Sequence, residues 1–260
     1  MKKRGLKHSF WIFANLWGWA LGRPILAPLH RVFLNLSLHA LGHDNPHFTG
    51  EERFIRKILK KNDIQVCIDI GANIGNYSAE LIHSLKCVVY AFEPLSSSFE
   101  HLQSRGDEFP NSLIPLRIAL ADFTGKAVIR AKGPLSETAT LSKEGEKFDT
   151  VQEEVSVTTL DAFVKEKSLE RIDFIKIDTE GFEREVLIGM QDTLAALKPK
   201  FIQFEFNLIQ LQRGYTLYTL SQLLSGYTLY RLLPHGWIRI EPSSFSANIF
   251  IFQNIVAVRK

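Results

Sequence analysis

From residue 64 onward the chain alternates short apolar runs with amphipathic stretches. QVCIDIG, KCVVYAFEP, SLIPLRIAL, RIDFIKID and KFIQFEFN read as strands, and NYSAELIHSL, SSSFEHLQSRG and GFEREVLIGMQDTLAAL read as helices between them. Continuous apolar runs of this length are what strands buried on both faces look like. Parallel neighbours also need a long crossover, usually a helix. The pattern therefore predicts an α/β fold with a doubly wound, mostly parallel sheet. FTGKAVIRAK and EEVSVTTLDAF read as strand-like insertions around a polar loop at 132–150, and residues 215–226 as a further helix. TLYRLL, WIRIEP and NIVAVR end the chain as strands that close the sheet edge antiparallel. Ser97 or Ser98 is the expected N-cap of the second helix.

At 260 residues and 45% hydrophobic, one full-sized core is expected, in a domain spanning 49–260. Net charge is only +3, which is no footprint for nucleic acid. The two cysteines, Cys67 and Cys87, sit inside apolar runs and read as small packing hydrophobes. That usage fits the cytoplasm better than an oxidising compartment. Residues 1–48 form an N-terminal helical extension in this reading. Its apolar stretch, Phe10 to Gly22, is shorter than the ~20 residues a spanning helix needs, and no A-x-A cleavage site follows it. Leu6, Phe10, Phe13, Trp17 and Leu21 share a helical face, with Lys and Arg beside the tryptophans. Residues 6–22 thus suit docking on the domain or on a second copy in a homo-oligomer, or contact with the membrane surface. A second helical stretch follows from Leu26 to Leu41. His39, His43 and His47 fall four apart, but Gly42 and Pro46 break the register a metal trio would need.

Chemistry is expected at the carboxyl ends of the strands, at the switch point of the sheet. The first strand runs into Asp69-Ile70-Gly71-Ala72-Asn73-Ile74-Gly75. Gly71 allows a tight turn and Gly75 a close helix start. A dinucleotide site would carry a middle glycine where Asn73 stands. Asp69 adds negative charge, unhelpful beside a pyrophosphate and helpful beside an amine. Glu93 ends the second strand 24 positions later, about where a doubly wound unit places the acid that holds a ribose. An acid at each strand end without a phosphate cradle describes a site for a cationic nucleoside, S-adenosylmethionine (SAM). Its adenine would lie near Ala119 to Asp122.

DIGANIGNYS, AFEP, IALAD-FTG, TTLDAFV, IDFIKIDTEGFEREVLIGM and LKPKFIQFEFN resemble the FkbM family of SAM-dependent methyltransferases, from about Gly50 to the terminal NIVAV. The resemblance implies a class I methyltransferase fold, a seven-stranded Rossmann-like sheet, and O-methylation of a hydroxyl. Arg117-Ile118-Ala119 stands where Asn-x-Ala is common in the family, and the Trp-rich N-terminus is additional.

Read from the residues themselves, Asp178 and Glu180 end a buried strand, Lys176 projects on the same face as Asp178, and Glu205 ends the neighbouring strand. These three carboxylates would ring the transferable methyl. There they would act as a base toward an alcohol, or hold a divalent cation that acidifies it. Lys176 pairing and helix capping are the competing structural roles. His235, in a late loop, is a second base candidate. Phe204, Phe206, Tyr215, Tyr218, Tyr227, Tyr230 and Trp237 are candidates for lining an acceptor pocket or for the core. The expected function is transfer of a methyl group to a hydroxyl of a small-molecule or glycan acceptor. A non-catalytic membrane-associated module and an NAD(P)-dependent oxidoreductase are the alternatives.

Overall fold

A computed structural model of the chain describes residues 49–131 and 151–260, with a few helical positions between 26 and 37. The expectations for residues 6–22, for the histidine trio and for the 132–150 loop fall outside the described residues. Residues 1–42 form a unit separate from 43–260.

The second unit opens with helix α1 (Glu51–Lys57). Then come β1 (Val66–Ile70), α2 (Asn76–Leu85), β2 (Val88–Phe92), α3 (Ser96–Glu108) and β3 (Leu113–Leu116). β4 (Ala119–Leu120), β5 (Gly125–Ala131) and β6 (Val151–Thr158) follow, then α4 (Leu160–Lys167) and β7 (Phe174–Ile177). α5 (Glu183–Ile188), α6 (Gln191–Ala196), β8 (Phe201–Phe206), α7 (Leu208–Gln212) and α8 (Leu217–Gln222) lead to β9 (Tyr227–Leu233), β10 (Gly236–Arg239) and β11 (Gln253–Arg259).

The main sheet has the order β10-β9-β11-β8-β7-β1-β2-β3. Pairings from β3 through β2, β1 and β7 to β8 are parallel, and β11 pairs antiparallel with both β8 and β9. This is the class I methyltransferase arrangement. β10 adds an eighth strand to the expected seven as the outer arm of an antiparallel hairpin with β9.

Each strand feeds two apolar layers, because successive side chains point to opposite faces. Cys67, Phe174, Phe201 and Val256 enter the layer under α1 and α2. Their neighbours Ile68, Ile175, Ile202 and Ile255 enter the other. Both faces are covered, which is why the strands read as continuous apolar runs. Phe54 fixes α1 to the first layer, with ring centroids 6.0 Å from Phe174, 5.7 Å from Phe201 and 5.9 Å from Trp237. Burying it contributes about 1.5–3 kcal/mol.

Four local expectations change. SLIPLRIAL is two strands: after β3 the chain leaves the main sheet, and β4 joins a three-stranded sheet of order β4-β6-β5. EEVSVTTLDAF turns from strand into helix at Thr159, whose side chain accepts the Ala162 N–H and caps α4. The long helix after β7 is broken at Gly189, where an added Cβ would lie 1.9 Å from the Ala121 carbonyl oxygen. α3 starts at Ser96 with Leu95 in the N-cap position, so neither Ser97 nor Ser98 caps it.

Candidate active site

The strand order reverses between β1 and β7, and the loops leaving β1, β2 and β7 are tied together there. The N–H groups of Gly71 and Ala72 both donate to the Phe92 carbonyl at 2.9 Å, and Asp178 N–H donates to the Ile70 carbonyl at 2.8 Å. Gly71 has φ +82°, and a Cβ on it would lie 1.7 Å from the Asp178 carbonyl oxygen. Only glycine fits that crossing of loops. Next to it Asn73, at φ 49°, donates its N–H to Glu93 Oε2 at 2.9 Å, while Leu95 N–H donates to Glu93 Oε1 at 2.9 Å.

These loops wall a cleft of about 450 Å³. Asp69 lies at one side, fully buried. Ser78 Oγ donates to its Oδ2 at 2.6 Å, and its Oδ1 has no partner. Burial pushes the Asp69 carboxyl up, and Lys176 and Ser78 work against that. Glu93 is pushed up to about 7 by burial, opposed by its two N–H donors. Ile118, Ala119 and Leu120 supply an apolar patch beside Phe92.

The other end of the cleft is acidic. Lys176 Nζ lies 2.5 Å from Asp178 Oδ2 and 4.7 Å from the centroid of the Tyr77 ring. Burial alone would lower the Lys176 pKa, but Asp178, Glu51, Asp69 and Glu205 outweigh it and hold the ammonium charged. Asp178, Glu180 and Glu205 each bring a carboxylate oxygen within 4.8 Å of the others. Such a set of hard oxygen donors suits a divalent cation. Burial, with Asp178 and Glu180 alongside, pushes the Glu205 carboxyl well up.

Sequence reasoning missed Glu51. It enters the cleft from α1, with Oε1 accepting from Gln203 Nε2 at 2.6 Å and Oε2 from Thr49 Oγ1 at 3.1 Å. Gln203 is held in turn by the Tyr77 hydroxyl at 2.8 Å. In sequence, Glu51 resembles any acid in the first turn of a helix, so no signal marked it. Glu183 was also missed: it braces the KIDTEGFE turn from behind. Its Oε1 accepts from the N–H groups of Thr179 and Gly181, its Oε2 accepts from Gln210 at 2.7 Å, and the Tyr215 hydroxyl closes onto the Gly181 carbonyl.

Asp69, Gly71, Asn73, Glu93, Ala119, Asp178, Glu180 and Glu205 all line the cleft, whereas Gly75 and Asp122 do not. Gly75 serves packing: an added Cβ would meet Leu102 Cδ1 at 2.7 Å. Asp122 is exposed, because the chain has already left the main sheet for the small one. His235 is exposed in the hairpin turn, and Phe204 and Phe206 are core. The aromatic residues of the cleft are instead Tyr77, Phe92, Phe182 and Phe252.

The set fits SAM. An unpartnered buried carboxylate oxygen at Asp69 suits an amine, and the Asn73 Oδ1, likewise buried and unpartnered, offers a further acceptor. Glu93 beside it suits a diol, and the apolar patch suits a base.

Residues 69–228 match the model of the methyltransferase FkbM domain. Over 151 residues the chain is 30% identical to the hexuronic acid methyltransferase AglP of Haloferax volcanii, covering 57% of this chain and 59% of that one. Over 196 residues it is 25% identical to the AMB antimetabolite synthetase AmbE of Pseudomonas aeruginosa, covering 60% of this chain but 9% of that one. Among solved structures, the O-methyltransferase from Bacillus cereus in complex with SAH superposes with a TM-score of 0.46 at 11% identity, over 94% of this chain and 96% of that one.

Proposed function

The chain belongs to the FkbM methyltransferase family, and we propose that it is a SAM-dependent methyltransferase that acts on a hydroxyl of a sugar-like acceptor, with Glu205 as the general base. The observation that carries this is the half-buried Glu205 carboxyl, clustered with Asp178 and Glu180 at the acidic end of the cleft that Asp69 and Glu93 also line, and pushed well up there. The sugar-like acceptor class rests on the relative named for hexuronic acid, of whose length this chain spans 59%.

Bound SAM supplies a methyl group already activated as a sulfonium. In this reading Asp69 Oδ1 and Asn73 receive its amino-acid end, Glu93 accepts from its ribose, and Ile118, Ala119 and Leu120 cover its base. Glu205 takes the proton of the acceptor hydroxyl, a role for which a carboxyl held above its ordinary range, once ionised, is a stronger base than an ordinary carboxylate. Lys176 stays charged and holds Asp178, so one acid of the three is fixed and screened. Glu51, held by Gln203 and Thr49, walls the acceptor side and offers a sugar hydroxyl an acceptor oxygen.

The test is transfer of labelled methyl from SAM to a panel of hydroxylated sugars and uronic acids, wild type against Glu205→Gln. A fall in kcat of roughly 10²–10⁴ with SAM affinity kept is expected for a lost base. Unchanged kcat would remove Glu205 from the reaction. A second reading has one observation in its favour, the three carboxylate oxygens within 4.8 Å. There a divalent cation on Asp178, Glu180 and Glu205 acidifies the hydroxyl. Activity lost on chelation and restored by magnesium would select it.

A further inference from the structure

A second groove of about 330 Å³ lies beside the cleft, and the chemistry assigned so far leaves it unused. The two share one wall: Thr49 and Glu51 line the cleft, and Gly50 between them lines the groove. Gly50 is pressed onto the β9–β10 hairpin, where an added Cβ would lie 2.4 Å from the Leu233 carbonyl oxygen. The floor is apolar, made of Phe54, Ile58, Leu232 and Trp237.

Its rim is basic. Arg53, Lys57 and Lys61 follow one another at four-residue spacing, and all three are exposed and line the groove. Arg239 lies two residues beyond Trp237 on β10, hence on the same face of that strand. Among the described residues none of these four cations makes an ion pair, in contrast to Arg56 on the same helix, which is bound to Glu52 and Glu80. Cations that have a carboxylate partner within reach normally take it. Three unpaired cations around an apolar floor, with Arg239 nearby on the strand face of Trp237, make a site for an anion that carries hydrocarbon.

We propose that this groove is a second acceptor subsite, which binds a phosphate group with the apolar portion next to it while the hydroxyl to be methylated reaches over Gly50 into the acidic cleft. The inference rests on the methyltransferase reading of the cleft and adds the substrate class: an acceptor that is phosphorylated and amphipathic, not a free neutral sugar. It also accounts for the division of charge. The acidic cleft repels a phosphate from the methyl-transfer end, and the basic groove holds it at the other, which fixes the direction in which the acceptor enters.

The probe is decyl phosphate below its micellar concentration, titrated calorimetrically into the full chain, with inorganic phosphate and neutral decyl glucoside as comparisons. The variant is Arg53→Ala/Lys57→Ala/Lys61→Ala, whose residues are exposed and unpaired, so that SAM binding serves as its control. Decyl phosphate is expected to bind the wild type more tightly than either comparison. The triple variant should lose at least tenfold, the salt dependence should shrink, and SAM affinity should stay the same. Equal decyl phosphate affinity in the two proteins, or no preference over decyl glucoside, would overturn the proposal. So would binding to phosphatidylglycerol vesicles that needs the three cations while decyl phosphate alone does not bind; the groove would then be a membrane contact. Failure of SAM itself to bind the wild type would strike the methyltransferase reading instead, so the two failures are distinguishable.

Discussion

Glu93 shows how a single residue sets the behaviour of the cleft. Its carboxyl is pushed up to about 7 by burial, against two N–H donors. In the proposed SAM placement ribose hydroxyls donate to the ionised form, so SAM and a proton would compete for this group. SAM affinity should therefore rise with pH through about 7, and Kd should weaken roughly tenfold per unit below it. In Glu93→Gln that slope should vanish while overall affinity falls; titrations at several pH values check both. The sign for the apo chain is opposite. A folded-state pKa above the unfolded value means that stability is highest at low pH and falls as pH rises from about 4.5 through about 7. Thermal unfolding over that range, wild type against Glu93→Gln, reads this directly. At this scale Asp69, Glu93, Asp178 and Glu205 were legible in the sequence because each acid ends a strand. Glu51 and Glu183 were not. One is defined by a partner 152 positions away and the other by backbone N–H groups of its own turn, and neither contact leaves a mark in local pattern.

Among the elements, the loop after β1 is the most constrained. Gly71 combines φ +82° with a backbone carbonyl where its Cβ would be, so no side-chain adjustment relieves a substitution. Gly71→Ala should cost more than about 4 kcal/mol or abolish the soluble folded protein, since strain and a backbone clash add. Gly214→Ala, which has positive φ but open space around it, should cost only about 1 kcal/mol. Denaturant unfolding of the two variants separates close approach from backbone freedom. Strands buried on both faces were readable from composition alone. The split of SLIPLRIAL and the turn of EEVSVTTLDAF into α4 were not, because both depend on the small β4-β6-β5 sheet, whose pairing is non-local.

For the molecule as a whole, the last strand is not at the edge. β11 is paired along both sides, to β8 and to β9. The sheet therefore cannot be completed until the final residues are in place. Removing residues 253–260 should expose the facing edges of β8 and β9 and eliminate the cooperative unfolding transition, which a calorimetric scan would show. Retention of a sharp transition would mean that the five parallel strands β3, β2, β1, β7 and β8 fold without it. Among the described residues no helix is long and apolar enough to cross a membrane. The overall topology was legible because alternating strands and helices admit few arrangements. The two strands of the β9–β10 hairpin were legible as part of an antiparallel tail, but the second groove that the hairpin walls was not, because it depends on the non-local packing of α1 against Leu232 and Trp237.

The most direct measurement is calorimetric titration of SAM into the wild type and into Asp69→Asn, which keeps the Ser78 hydrogen bond and removes the charge. Micromolar binding by the wild type, weakened at least tenfold in the variant, is expected if the buried unpartnered oxygen of Asp69 faces the amine of the methyl donor. Equal affinity in the two, or no binding by the wild type, would contradict that placement and the mechanism built on it.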